Sequence, residues 1–254
     1  NGDVITFKFY DYSRNQIIDA VSLQEIPLWE EMRKEKSSRD SLTLSEWKEI
    51  YTYLRSWSKD DTDEKLIQTK EFVRNFILIL GNAGLRFGEC RFLKWKDIEV
   101  IKEKDGSFTS VIDVKVSKTG PRDGVIGRGG EYFKRIKDIS NFTRPKDWIF
   151  ANNDTGKQLD KKIYYKLWQQ VLENTTIKDR LSNFTYYTLR HTYCTFRLLS
   201  GTDIYLLSRN MGTSVSHIEK TYGHVRLMDK RKYLTHGKKL TQSEKVLIDD
   251  IPKY

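Results

Sequence analysis

Residues 187–195 read YTLRHTYCT, and they open the stretch from Tyr187 to Val225 that says most about this protein. Three short segments follow along the same stretch: GTD at 201–203, MGTS at 211–214 and TYGHV at 221–225. The pattern predicts three helices here, over 188–200, 203–210 and 214–222. This part of the chain is therefore expected to be helical, with Arg190, Thr213 and Tyr222 at fixed intervals along it.

The globular part of the chain begins earlier, with a helix whose first turn carries a capping box. Thr43 and Glu46 have the spacing at which each side chain satisfies a backbone N–H at the start of a helix. Apolar residues then recur on one helical face: Trp47, Ile50, Tyr51 and Leu54. A longer apolar helix is predicted over 64–80, ending at the turn-forming run Gly81–Gly84, and a short helix near 86–92 follows it.

After this point the hydrophobic period changes from about 3.6 to 2, which is typical of strands. Strands are predicted over 98–102, 110–116 and 124–126, joined by turn sequences at 104–106 and 118–123. Helices are predicted again over 128–140 and 159–174. The expected fold class is α+β and mostly helical, with one small three-stranded antiparallel sheet.

Composition narrows the function classes. The 254 residues include 45 Lys and Arg against 35 Asp and Glu, a formal charge of +10, which favours a polyanionic partner such as nucleic acid. A hydrophobic content of 38% excludes a disordered chain. No apolar run approaches the roughly 18 residues of a membrane span. The two cysteines, Cys90 and Cys194, favour a reducing compartment, and with four histidines they make a dedicated zinc site unexpected.

The stretch from Tyr187 to Val225 resembles the C-terminal half of the tyrosine recombinases, the phage integrase family. That family's pattern is approximately H-x-L-R-H-T, then G-x-D, then L-G-H-S, then Y-x-H-V, at intervals that agree with this sequence. Upstream segments resemble further family motifs: GLRFGE at 84–89, SKTG at 117–120 and DWIF at 147–150. The resemblance covers residues 42–226 and implies the tyrosine-recombinase catalytic-domain fold and site-specific DNA recombination.

The resemblance implies catalytic roles for six residues: Arg86, Lys118, Tyr187, Arg190, Thr213 and Tyr222. Tyr222 would attack a DNA phosphodiester, forming a 3′-phosphotyrosyl link and a free 5′-hydroxyl, so that religation needs no ATP. Arg86 and Arg190 would bind the phosphate, because a guanidinium group offers a planar fork of donors to two oxygens. Lys118, on a hairpin, would protonate the leaving 5′-oxygen. Neither a cofactor nor a metal ion is expected.

Two positions depart from the family pattern. Tyr187 stands where the family usually has a histidine that assists as general base, and a phenol with a pKa of about 10 is a poor base at neutral pH. Thr213 stands where the family has a histidine or tryptophan that contacts the phosphate. Each can still donate a hydrogen bond, so an active enzyme is expected.

Four neighbours of these residues have simpler interpretations. Glu89 either orients Arg86 or is an ordinary charge on a helix surface, and the sequence leaves both open. His191 is expected to be a buried structural residue rather than a catalytic one. Cys90 and Cys194 are expected to be small packing residues.

Seven basic residues are candidates for contacts with the DNA backbone, and as a set they should make affinity fall steeply with salt. They are Lys94, Lys96, Arg122, Arg128, Lys157, Lys161 and Lys162.

Three segments are predicted along the chain. Residues 1–40 form an N-terminal segment with a possible strand at 4–10 and a charged linker at 33–40, the remnant of a preceding domain. Residues 41–226 form the catalytic domain, and residues 227–254 form a tail that docks on a neighbouring protomer or folds back. The expected partners are double-stranded DNA attachment sites and further copies in a homotetramer, with no membrane. The expected location is the cytoplasm, in association with the nucleoid, for a protein encoded by a bacterium or a phage.

Two other functions remain open at this point. One is a DNA-binding module of the same fold that has lost catalysis, which Tyr187 and Thr213 favour. The other is an enzyme like a type IB topoisomerase, which shares the site chemistry, although the short hairpins and the integrase-like spacing argue against it.

Overall fold

The computed structural model describes residues 8–11, 16–19, 41–59, 61–178 and 184–222, in two separate units. In the first unit, Asn1–Ser38, strand β1 (Lys8–Asp11) pairs antiparallel with β2 (Gln16–Asp19). The end of the predicted strand at 4–10 falls in β1, whereas β2 was not predicted. Residues 4–7, the predicted linker at 33–40 and the predicted tail at 227–254 lie outside the described residues.

The second unit, Arg39–Tyr254, contains the predicted helices and the predicted sheet. Its helices are α1 (Leu44–Tyr53), α2 (Glu64–Ala83), α3 (Phe87–Arg91), α4 (Gly130–Ile139), α5 (Lys161–Glu173), α6 (Tyr186–Leu199), α7 (Ile204–Met211) and α8 (Val215–Tyr222). Its strands are β3 (Ile98–Lys102), β4 (Phe108–Val114) and β5 (Arg122–Arg128), preceded by a 3-10 turn at Trp95–Asp97. The predicted fold class, mostly helical with one small antiparallel sheet of three strands, is confirmed.

Some predicted boundaries were wrong. Helix α2 continues through Gly81 and Asn82 to Ala83, because the residue that ends it is Gly84, whose φ of 66° is left-handed. Strand β4 begins at Phe108, opposite Lys102, and ends before Lys115. Strand β5 begins at Arg122, inside the predicted turn, so the connecting loop begins and ends two residues earlier than expected.

The start of α1 follows the sequence prediction. The Thr43 hydroxyl accepts a hydrogen bond from the Glu46 N–H at 3.2 Å, and the Glu46 carboxylate accepts one from the Thr43 N–H at 2.7 Å. Ile50 and Leu54 on the predicted apolar face are fully buried. The capping box therefore fixes where the first helix of this unit begins.

The sheet packs on helices α2 and α4 through alternate residues. Ser110, Ile112 and Val114 of β4 are buried, as expected for one face of a strand. On the neighbouring strand, a Cβ at Gly127 would lie 2.7 Å from the side chain of Ala83. Gly127 is therefore the point at which β5 crosses the end of α2 at close range.

An aromatic cluster around Phe76 of α2 joins the helices that carry the functional residues. The Phe76 ring lies 5.3 Å from Phe87 of α3, 4.6 Å from Tyr164 of α5 and 5.5 Å from Tyr186 of α6, between ring centroids. The Tyr186 hydroxyl donates to the Tyr164 carbonyl at 2.8 Å. Helices α3, α5 and α6 are thus fixed around the same point of α2.

Replacing Phe76 by alanine is expected to lower the free energy of unfolding by about 3–5 kcal/mol, because it leaves a cavity at the centre of this cluster. Denaturant-induced unfolding measures the change. Leu44→Ala is the control: Leu44 is 69% exposed, and its loss should leave the unfolding free energy nearly unchanged. Similar values for the two variants would contradict the central place of Phe76.

Candidate active site

Two arginines from distant parts of the chain reach the turn between α7 and α8. Arg86 Nη2 donates to the Gly212 carbonyl at 2.9 Å, and Arg190 Nη2 donates to the Met211 carbonyl at 2.7 Å. Because these carbonyls are consecutive in the chain, the two guanidinium groups lie side by side. Arg190 Nη1 also donates to the Gly84 carbonyl at 2.7 Å, at the end of α2.

The local sequence explains why carbonyl oxygens are available there. Helix α7 ends at Gly212, whose φ of 62° is left-handed and stops the helix. The last carbonyls of a helix have no partner within it and carry partial negative charge, which favours cations. The arginine N–H groups occupy these acceptors, so the end of α7 holds both cations in place.

Glu89 of α3 joins these arginines to a third. Its side chain is 2% exposed, and one oxygen, Oε1, accepts from Arg86 Nη1 at 2.6 Å. Arg122 Nη1 and Nη2 donate to its two oxygens at 2.9 and 3.0 Å, and the Ser117 hydroxyl donates at 2.6 Å. Arg190 Nη1 lies 4.0 Å from Oε2. Glu89 is therefore not an ordinary surface charge, and of its two interpretations the orienting one fits the structure.

The charge state of the cluster follows from these contacts. Burial alone would raise the pKa of Glu89, but hydrogen bonds from Arg122, Ser117 and the Arg86 N–H outweigh it and lower the pKa to about 2. The pKa of Arg190 is lowered from its ordinary value, mainly by burial and then by the positive charge of Arg86. Glu89 and Tyr187 act in the opposite direction. At neutral pH the carboxylate is ionised among three guanidinium groups.

This pKa predicts a pH dependence of stability. A carboxyl group whose pKa is lower in the folded than in the unfolded protein stabilises the fold above its unfolded pKa. For Glu89, with an ordinary value of 4.5 and a folded value of about 2, that stabilisation is lost as the pH falls through this range. At pH 7, Glu89→Gln is expected to be less stable than the parent chain by on the order of 3 kcal/mol.

Unfolding free energies of the two chains, measured from pH 7 down to the lowest pH at which both remain folded, test this. The difference should shrink as the pH falls below about 4.5. A difference that is constant with pH would contradict the ionised state of Glu89.

Lys118 lies in the β4–β5 loop, with its side chain exposed. Its two neighbours attach this loop to the arginine pair: Arg86 Nη1 donates to the hydroxyl oxygens of Ser117 and Thr119, both at 3.3 Å. Thr119 also donates to the Gly212 carbonyl at 3.4 Å. These contacts attach the residues on either side of Lys118 to Arg86, and the role of Lys118 stays a prediction. The contributions of Ser117 and Thr119 were not predicted, although both flank the predicted lysine.

Arg122 was predicted to contact the DNA backbone, and the structure places it elsewhere. Its side chain is 12% exposed, and both terminal nitrogens donate to Glu89. A Cβ at Gly212 would overlap its guanidinium group. Arg122 is therefore part of the buried ionic cluster, because its position at the start of β5 turns it toward Glu89.

The remaining predicted catalytic residues are Thr213, Tyr187 and Tyr222. Thr213 directly follows Gly212 and is half-buried, with its N–H donating to the Ser208 carbonyl at 3.1 Å. Tyr187 lies one helical turn before Arg190, and its ring meets that of His191 at 4.6 Å between centroids. His191 is buried, as expected. Tyr222 is the last residue of α8, and its side chain lies outside the described residues.

The other candidate DNA contacts take no part in the ion pairs of Glu89, and most lie at the surface. Those with exposed side chains are Lys96, Arg128, Lys157, Lys161 and Lys162. Lys94 is half-buried, with Nζ 4.4 Å from the centroid of the Trp148 ring. Their exposure leaves these cations available to phosphate groups, and their role stays a prediction.

Cys90 and Cys194 are fully buried, which agrees with a packing role. Within residues 41–59, 61–178 and 184–222, no group of three or more His, Cys, Asp and Glu side chains is arranged to hold a metal ion. Among the helices that the structure describes, none has the length and apolar composition of a membrane span.

Comparison with known proteins identifies relatives. Residues 40–229 match the model of the phage integrase family. A curated relative is tyrosine recombinase XerD of Staphylococcus saprophyticus, which is 24% identical over 166 residues, covering 63% of this chain and 52% of XerD. This chain therefore spans about half the length of that relative.

Solved structures share the fold. The XerH site-specific recombinase in a post-cleavage complex with difH substrate aligns with a TM-score of 0.57 at 16% identity, covering 80% of this chain and 54% of XerH. The XerA recombinase aligns with a TM-score of 0.53 at 21% identity, over 79% and 64% of the two chains. The Tn1549 transposon integrase, in complex with circular intermediate DNA, aligns with a TM-score of 0.52 at 18% identity, covering 77% of this chain and 66% of the integrase chain.

Proposed function

This chain belongs to the phage integrase family, and we propose that it is the catalytic part of a site-specific DNA recombinase that cuts and rejoins DNA through a phosphotyrosyl intermediate. The observation that carries the proposal is the meeting of Arg86 and Arg190 at the consecutive carbonyls of Met211 and Gly212. That turn leads directly into α8, the helix that ends at Tyr222.

The chemistry follows from the charge that develops on the phosphate. Attack on a phosphodiester places additional negative charge on the non-bridging oxygens, and fixed cations stabilise it without reorganising. Arg86 and Arg190 supply these cations, each with a planar fork that fits two oxygens. Because both are already held by backbone carbonyls, little conformational freedom is lost when the phosphate binds.

In the proposed cleavage step, the Tyr222 phenolic oxygen forms a bond to phosphorus while the bond from phosphorus to the 5′-oxygen breaks. The phenolic proton leaves to solvent or to a base in the pocket, and Lys118 donates a proton to the departing 5′-oxygen. The reverse attack by a 5′-hydroxyl restores the phosphodiester and frees Tyr222. Tyr187 and Thr213 take the places of the usual histidine and of the histidine or tryptophan as hydrogen-bond donors.

The proposed partners are double-stranded DNA attachment sites and other copies of the chain. The relatives XerH and the Tn1549 integrase have structures with DNA, which supports DNA as the substrate. We propose a homotetramer on two sites, with residues 41–226 as the catalytic domain, residues 1–40 as the remnant of a preceding domain and the tail at 227–254 at a contact between protomers. Because the substrate would be chromosomal DNA, the protein would act at the bacterial nucleoid.

Trapping with a nicked DNA substrate tests the proposal. When a nick lies next to the cleavage position, the short 5′-hydroxyl fragment diffuses away and the covalent intermediate accumulates. An active chain yields a protein–DNA adduct that survives denaturing electrophoresis. Because the attachment site is unknown, the substrate is a library of nicked duplexes, from which adducts are selected and sequenced.

The alternatives give other outcomes. Retention of DNA in a mobility-shift assay without any adduct would identify a DNA-binding module that has lost catalysis. Relaxation of supercoiled DNA by the monomer, without pairing of two sites, would identify a topoisomerase-like enzyme. Either result would overturn the recombinase assignment.

A further inference from the structure

The buried cluster around Glu89 contains a third guanidinium group besides those of the two phosphate-binding arginines. Three guanidinium groups, those of Arg86, Arg122 and Arg190, surround one carboxylate at 2.6, 2.9 and 4.0 Å. The cluster therefore carries two net positive charges. Arg122 accounts for one of them, yet no part of its guanidinium group is needed for the phosphate in the mechanism above.

We propose that Arg122 is a positioning residue for DNA cleavage, which holds both oxygens of Glu89 and so keeps this carboxylate from neutralising Arg86 and Arg190. This inference rests on the proposed recombinase function. Arg122 acts through Glu89 and does not touch the DNA.

The hydrogen-bond geometry supports this role. Arg122 donates to Glu89 through both terminal nitrogens, at 2.9 and 3.0 Å, in the bidentate arrangement that binds carboxylates most strongly. Arg86 donates to Glu89 through one nitrogen, Nη1, and its Nη2 is directed to the Gly212 carbonyl. Because Arg122 occupies one side of the carboxylate, Arg86 is held at its edge, with its side chain 23% exposed toward the solvent.

The charge arithmetic supports it as well. A phosphodiester carries one negative charge, and further negative charge develops on its oxygens as the tyrosine attacks. The cluster with Arg122 carries two net positive charges to stabilise it, and the cluster without Arg122 would carry one. The ion pair is also poorly screened, because Glu89 is 2% and Arg122 12% exposed.

Gly212 adds a second, independent observation. Its carbonyl binds Arg86, and a Cβ at this position would overlap the guanidinium group of Arg122. The turn before α8 therefore lies directly on Arg122, so that Arg122 supports the same turn that holds both phosphate-binding arginines. Arg122 also begins β5, four residues after Lys118, and anchors the end of the loop that carries the proposed general acid.

The test compares single-turnover cleavage at saturating DNA for the parent chain and three variants, using a nicked duplex on which the parent chain forms the adduct. Arg122→Gln is expected to lower the cleavage rate on the order of 10- to 100-fold, a typical effect of removing a group that orients site residues. Arg122→Lys keeps the positive charge but lacks the planar pair of donors, so its cleavage rate should lie between those of Arg122→Gln and the parent chain. Arg144→Gln, at an exposed arginine outside the cluster, is the control for loss of one positive charge.

The double variant Glu89→Gln/Arg122→Gln separates positioning from a merely structural role. Removing both charges restores the two net positive charges of Arg86 and Arg190, so the double variant should cleave at least about tenfold faster than Arg122→Gln. If Arg122 only stabilised the fold, the double variant would be no faster. Rates are normalised to the folded fraction of each variant, measured by circular dichroism at the assay temperature.

A pH profile gives a second readout. The groups that face Glu89 are Arg86 before α3, Arg122 of β5, Arg190 of α6 and the hydroxyl of Ser117, with Cys90 next in sequence. Without the hydrogen bonds from Arg122, burial raises the pKa of Glu89, so that this carboxylate protonates at higher pH. Protonation of Glu89 restores the two net positive charges of Arg86 and Arg190. The rate of Arg122→Gln relative to the parent chain should therefore rise as the pH falls from 8 to 5, and that of the double variant should stay flat.

The outcomes distinguish the two proposals. If the parent chain forms no adduct on any nicked duplex, the recombinase function fails. If the parent chain cleaves and Arg122→Gln cleaves at the rate of Arg144→Gln, or the double variant gives no recovery, Arg122 is not a positioning residue. If Arg122→Gln lost DNA affinity by the same factor as cleavage rate, the inference would also be overturned, because Arg122 would then contact the DNA.

Discussion

Replacing Arg190 by glutamine is expected to lower the rate of DNA cleavage at saturating DNA by a factor on the order of 100 to 1,000, the range seen when one fixed donor to a transition-state oxyanion is removed. Arg190 is 2% exposed and ties the end of α2 to the end of α7 through Gly84 and Met211. Glutamine cannot reach both carbonyls, and it removes the positive charge beside the phosphate. Single-turnover trapping on a nicked duplex measures the loss.

The same substitution also affects stability. It leaves two buried carbonyl groups without their donors, which costs on the order of 2–3 kcal/mol in the free energy of unfolding. Rates are therefore compared per folded molecule. Arg197→Gln, two turns further along α6, is the matched control and should cleave at the rate of the parent chain. Equal rates for Arg190→Gln and Arg197→Gln would remove Arg190 from the site.

Replacing Tyr222 by phenylalanine should abolish the covalent adduct, with a loss of at least about a thousandfold, because the phenolic oxygen is the atom that forms the bond to phosphorus. The phenyl ring keeps nearly the same volume, so folding and DNA affinity should stay unchanged. Trapping followed by denaturing electrophoresis measures the adduct, and a mobility shift measures the affinity.

Tyr205→Phe is the control for this substitution, since Tyr205 lies in α7 and is 69% exposed. It should form the adduct as the parent chain does. An adduct of normal yield with Tyr222→Phe would show that another side chain attacks the DNA, and the proposed mechanism would be wrong.

The fold could be predicted from local sequence signals where these are strong. The capping box at Thr43 and Glu46, the glycine stops and the change of period after residue 97 gave the helices and the three strands nearly as observed. The predicted ends of β4 and β5 differ from the observed ends, because a strand ends where its pairing with a neighbour ends, as at Phe108 opposite Lys102. Local propensity carries no information on such pairing.

The motifs include Arg86 and Arg190, which the structure brings together, whereas contacts between distant elements were not predicted. Arg86 and Arg190 meet, as the motif spacing implied, although 104 positions separate them. The contact between Arg122 and Glu89 was not predicted, because a basic residue in a hairpin turn usually lies in solvent and Glu89 is in a different element. The same holds for the two hydroxyl groups beside Lys118, whose contacts with Arg86 depend on how the loop folds back.

The glycine at position 212 shows how a site residue can be present in a recognised motif without its role being evident. The MGTS segment predicts a role for Thr213, whereas in the structure Gly212 of the same segment has three roles. It ends α7 with a left-handed φ, its carbonyl binds Arg86, and its missing side chain leaves room for Arg122. These tasks follow from packing between α7 and β5, which no single segment of sequence encodes.

The most direct test of the central claim, that Tyr222 attacks a phosphate held by Arg86 and Arg190, is to identify the residue that becomes joined to DNA. The adduct from the trapping assay is digested with nuclease and trypsin and analysed by mass spectrometry. The tryptic peptide of residues 221–226, TYGHVR, should carry a nucleotide on its tyrosine. A nucleotide on any other residue, Tyr187 included, would contradict the account.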